Sequence, residues 1–88
     1  MNGTAAADLL EEYMKAAAAI RSASERVAHA GPNARDYYVK GDEAFPAALA
    51  EHESRVWKLR EVLGEIEEIM QNIVEQEDQR QAIKRQAL

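Results

Sequence analysis

Nine positions spaced alternately four and three residues apart run through the C-terminal half of the chain: Phe45, Leu49, His52, Val56, Leu59, Leu63, Ile66, Met70 and Ile73. All but His52 are apolar. A period of about 3.5 residues held over this length is the signature of a helix that lays one seam against another helix. A strand would need alternation every second residue. Ala48, Val62 and Ile69 flank the seam on one side and widen the apolar stripe, which suits a helical bundle better than a bare two-stranded coil.

The limits of this helix are set by punctuation. Gly41-Asp42 precedes it, Asp42 is the expected N-cap, and Pro46 falls in the first turn, where a missing N–H costs nothing. No proline comes after it, so the spacing predicts a helix over about 43–85, about 60 Å long. An Ala-rich run upstream predicts a first helix over about 4–29, with Thr4 as N-cap and Gly31 at the C′ position. Its matching seam is Ala6, Leu10, Tyr13, Ala17, Ile20, Ser24 and Val27, with Leu9, Ala16 and Ala23 beside it. Small residues at alternate layers, Ala17 and Ser24, let a partner helix come close.

Length then sets the architecture. Folded back antiparallel, the first helix covers the second to about Met70, where the seam fades toward Ile73 and Val74. Residues 71–88 are left as a polar C-terminal overhang. The expected fold is all-α: a long antiparallel helical hairpin with a heptad seam, forming a single domain over 1–88. Two helices leave part of a broad stripe wet, so oligomerisation into a bundle is expected, with a dimer favoured. An open, domain-swapped pair fits the same pattern, and so does a hetero-complex in which this chain supplies two helices.

Composition narrows the function. The chain has 88 residues, too few to bury a large core alone. It has no cysteine, which removes disulfides, thiolate metal sites and a cysteine nucleophile. The net charge of −5 argues against direct binding to nucleic acid, which asks for a basic face. No apolar run is long enough for a membrane span, and the first residues lack the pattern of a signal peptide. A cytoplasmic setting is the expectation.

Few residues carry the makings of chemistry. His29 and His52 lack a second histidine or a carboxylate in metal-ligand register, and Glu51, His52 and Glu53 diverge around a helix rather than converge. His29 in the last turn suits the helix dipole. His52 falls within the seam, where burial would make association pH-sensitive. Ser22, Ser24 and Ser54 have no nucleophile-elbow glycines around them. No enzyme, cofactor or metal is therefore expected.

Two features point instead to partners. The connector, residues 31–43, is longer than the usual 2–8 residues between helices, and it carries Tyr37 and Tyr38 where a plain turn would be polar. They either cap the end of the hairpin with Phe45 or present an aromatic contact framed by Arg35 and Lys40. Trp57 comes directly after Val56 on the seam and so turns away from it. Ala50 and Gly64 lie one heptad to either side and leave room around the indole. This makes Trp57 a candidate hot spot, the other reading being an indole laid over Arg60 and Glu61. Gly64 in mid-helix costs about 1 kcal/mol against alanine, which suggests close packing there. The sequence therefore reads as a non-catalytic interaction module, a structural or adaptor subunit. The alternative is a small acidic inhibitor that blocks a nucleic-acid-handling enzyme of a host.

Overall fold

The computed structural model describes residues 3–33 and 43–87, with side chains described from 5 to 33 and from 43 to 86. Two helices make up the fold: α1 (Gly3–His29) and α2 (Ala44–Ala87), with no strand among the described residues. α1 folds back along α2 within one chain, giving an extended all-α hairpin of 74 × 16 × 14 Å. The helix limits fall within two residues of those the sequence predicts. α1 begins one residue early, so Thr4 lies inside the first turn and not at the cap. Pro46 occupies the first turn of α2 as expected. Asp42, Tyr37, Tyr38, Arg35 and Lys40 lie outside the described residues.

Burial tracks the spacing of the apolar residues. On α1 the shielded positions are Ala6, Leu10, Tyr13, Ala17, Ile20, Ser24 and Val27, with Ala16 beside them. On α2 they include Phe45, Leu49, His52, Val56, Leu59, Leu63, Ile66, Met70 and Ile73. Among the described residues, Ala6, Ala17, Val56 and Ile73 are the buried hydrophobic ones, with Ser24 as the buried polar one. The Ser24 hydroxyl donates to the Ile20 carbonyl at 2.8 Å, so its burial leaves no unpaired group.

Three observations fix the register. Gly31 stands against His52 at the closed end. Arg21 reaches Glu67 across one side at 4.0 Å. Leu10 and Ile73 line one groove near the open end. Gly31 to Leu10 and His52 to Ile73 are the same 21 steps along the two helices. Ala17 then lies level with Ile66 and Ser24 with Leu59, small against large, as a close-packed interface requires.

This register shifts the overhang. α1 ends opposite His52, not opposite Phe45, so its other end extends past Met70 to the level of Glu77. Ile73 is accordingly 8% exposed, and Glu77 and Arg80 are half-shielded, with Arg80 to Glu77 at 4.0 Å. The free end of α2 begins near residue 81 and not at 71.

Gly31 also serves a different purpose from the one the sequence suggests. Its backbone does not take the left-handed conformation of a C′ glycine. A Cβ there would lie 2.9 Å from His52 Nε2 and 3.2 Å from its Cδ2. A side chain at this position would have to displace the tip of the His52 ring. The helix end is closed by the Ala30 N–H, which donates to the carbonyls of Arg26 and Val27 at 3.0 and 3.1 Å.

Candidate functional site

The closed end of the hairpin holds an open groove of about 590 Å³. One wall is formed by the end of α1 and the start of the connector: Ala28, His29, Gly31 and Pro32. The other is α2: Leu49, His52, Glu53, Val56, Trp57 and Arg60. α1 ends at His29, three residues before Pro32, and its last turn lies alongside this stretch of α2.

Trp57 is its most exposed aromatic residue, at 62%. It stands next to the buried Val56 on α2, so its ring leaves the interhelical face and lies along the lip. Arg60 lines the same groove, whereas Glu61 does not. An indole beside a guanidinium offers a flat apolar face, one N–H donor and a cation together. The His29 Nδ1–H donates to the Glu25 carbonyl at 2.8 Å, which ties that ring to the C-terminal turn of α1. His52 faces Gly31 from the floor. Among the described residues no three carboxylate, histidine or cysteine groups are placed to hold a metal ion.

Gly64 lies one heptad beyond Trp57 on the same outward stripe but outside the groove. A Cβ at Gly64 would meet nothing within 4 Å. No neighbour among the described residues requires glycine there. Tyr37 and Tyr38 lie outside the described residues, so of the four partner-binding candidates the structure places two, on one face of α2. The sequence did not indicate the company Trp57 keeps: Pro32 and His29 come to its groove from the other helix and the start of the connector.

The sides of the hairpin differ. On one flank Arg21 and Glu67 bridge the helices, and Met14 and Val74 lie toward the open end. On the other, Ala30 and Ala48 line a common groove at the closed end. Moving from that pair by heptads sets Ala23 level with Arg55, Ala16 with Val62 and Leu9 with Ile69. Leu9, Val62 and Ile69 are exposed at 37%, 44% and 37%, although all three border the seam. No described helix is long and apolar enough to cross a membrane. No family model, curated protein or solved structure matches this chain.

Proposed function

We propose that this chain is a non-catalytic protein–protein interaction module, a structural or adaptor subunit of the cytoplasm that works through helix packing. The observation that carries the reading is Trp57, 62% exposed at the lip of a groove of about 590 Å³. Tryptophan is among the residues most enriched at interface hot spots, and these anchor best when a small pocket lets them be fully desolvated. Ala28, Pro32 and Leu49 supply apolar wall, while Arg60 and Glu53 supply a charged rim that sets orientation.

The test is affinity capture from a native lysate with the wild type and Trp57→Ala in parallel, followed by calorimetry on any partner recovered. Loss of Trp57 is expected to weaken that complex by about 2 kcal/mol or more, roughly 30-fold. Equal affinity of the two proteins would remove Trp57 from the function. A basic, nucleic-acid-handling enzyme as the partner would turn the reading toward an acidic inhibitor.

A further inference from the structure

Arg60 of the Trp57 groove and Glu67 of the cross-helix pair are one heptad apart on α2, so both belong to one flank of the hairpin. Leu9, Val62 and Ile69 lie on the other flank, and all three are exposed. Val62 and Ile69 are themselves one heptad apart, and Ala16 of α1, half-shielded, adds only a methyl group between the helices. The stripe continues past the end of α1. Two heptads beyond Ile69, after the polar step of Gln76, comes Ile83, exposed on the free end of α2. Val62 to Ile83 is about 31 Å of helix, and a straight aliphatic line of that length suits another helix laid beside it.

Charge decides which helix fits. Residues 3–17 and 61–79, the open half of the hairpin, carry ten carboxylates and one cation, Lys15, a net −9. The whole chain is −5, so the remainder is net +4. Lys15 is already shared between Glu11 and Glu12, at 3.7 and 3.5 Å. Glu12 lies three residues from Leu9 and four from Ala16, and Glu65 three from Val62 and four from Ile69. Each helix therefore edges the aliphatic stripe with an exposed carboxylate. At those same spacings Glu65 has only Glu61, Val62, Glu68 and Ile69, so no cation stands beside it on its own helix. Two copies packed stripe to stripe would bring two acidic rims together, whereas lysine or arginine along the rim of an incoming helix is complementary. The opposite flank also exposes Met14 and Val74, but there the Arg21 guanidinium already faces Glu67 at 4.0 Å.

We propose that the Leu9–Val62–Ile69 flank receives a basic amphipathic helix of a different protein, laid along the groove between α1 and α2 and reaching Ile83. Its apolar residues cover the stripe, and its cations meet Glu12 and Glu65. This rests on the reading of the chain as an interaction module, but on a different flank from Trp57.

The probe is a labelled synthetic helix of about 21 residues, long enough to run from Val62 to Ile83, with a leucine stripe edged by lysines. A second peptide keeps the stripe and carries glutamate at the edges. Fluorescence anisotropy with the full chain should give a dissociation constant of about 10 μM or below for the lysine peptide at about 50 mM sodium chloride. The glutamate peptide should bind at least about tenfold more weakly. Ile69→Gln should weaken the lysine peptide about tenfold. Glu12→Gln with Glu65→Gln should weaken it several-fold and flatten its salt dependence. Ile69 is exposed in the hairpin, so its change removes no buried core residue, and unchanged helical circular dichroism checks this. Val74→Gln and Trp57→Ala should leave the peptide's affinity unchanged.

A lysine peptide that binds Ile69→Gln as tightly as wild type overturns the proposal, and so does equal binding of the two peptides. A wild type that sediments as a dimer and becomes a monomer with Ile69→Gln also overturns it, because a second copy is then the occupant. Failure of Trp57→Ala to affect partner capture would remove the Trp57 reading and leave this flank standing.

Discussion

At the scale of single residues, Gly31 and Gly64 stand in opposite surroundings. Gly31 is held by its own chain, through the His52 ring 2.9 Å from where a Cβ would be. Gly64 has open space instead, with nothing within 4 Å. A glycine inside a helix costs about 1 kcal/mol relative to alanine, partly through the freedom it adds to the unfolded chain. Gly64→Ala should therefore stabilise the isolated chain by about 0.5–1 kcal/mol, read as a higher urea midpoint with an unchanged slope. The same substitution tests the surface. If a partner helix comes close along the Trp57 stripe, the added methyl weakens that complex while the free chain gains stability. A loss of stability in the free chain would mean that Gly64 meets a neighbour within the chain after all. Both glycines stood out in the sequence: Gly31 was expected at a helix end and meets a neighbouring ring, whereas Gly64 was expected in close packing and has open space. Spacing along one helix says nothing about what stands opposite, and that is what decides a glycine's role.

At the scale of helices, the seam was almost fully readable. Every shielded seam position on α1, from Ala6 to Val27, comes from alternating steps of four and three residues, because a helix returns to the same face at that interval. Register was not readable, since a heptad pattern fits equally well when slid by a turn. The offset between His52 and the end of α1 depends on the path of the connector, and no periodic signal encodes that path. It moved the overhang from residue 71 to about 81. The register carries its own test. Ala17, 2% exposed, lies level with Ile66, and the neighbouring layers are large. Ala17→Leu should overpack that layer and destabilise the hairpin by about 1–3 kcal/mol, seen as a lower melting temperature. Arg21→Ala should do far less. Its pair with Glu67 is half exposed on both sides at 4.0 Å, and such surface pairs contribute less than about 1 kcal/mol. Leu63→Glu likewise strikes the hairpin's own seam, so it reports folding before it reports association; Ile69→Glu on the flank separates the two.

At the scale of the whole molecule, shape and charge pull association in opposite directions. A hairpin 74 Å long with 6919 Å² of surface has much to gain by covering a flank. Each chain carries a net charge of −5, so two copies repel as they meet. Apolar contacts are insensitive to ordinary salt, whereas the repulsion acts between exposed charges and is screened over about 10 Å at 0.1 M and about 3 Å at 1 M. Raising sodium chloride tenfold, from about 50 mM to about 500 mM, should therefore tighten any self-association through apolar contacts several-fold, measured as a fall in its dissociation constant by sedimentation. A complex formed because this acidic chain fills a basic groove must show the reverse. Its attraction is the part that salt removes, so affinity and association rate fall together. The two slopes have opposite signs and can be measured on the same preparation. Self-association that weakens with salt would mean that the copies meet through charged side chains such as Arg21 and Glu67, and not through exposed apolar ones such as Leu9, Val62 and Ile69.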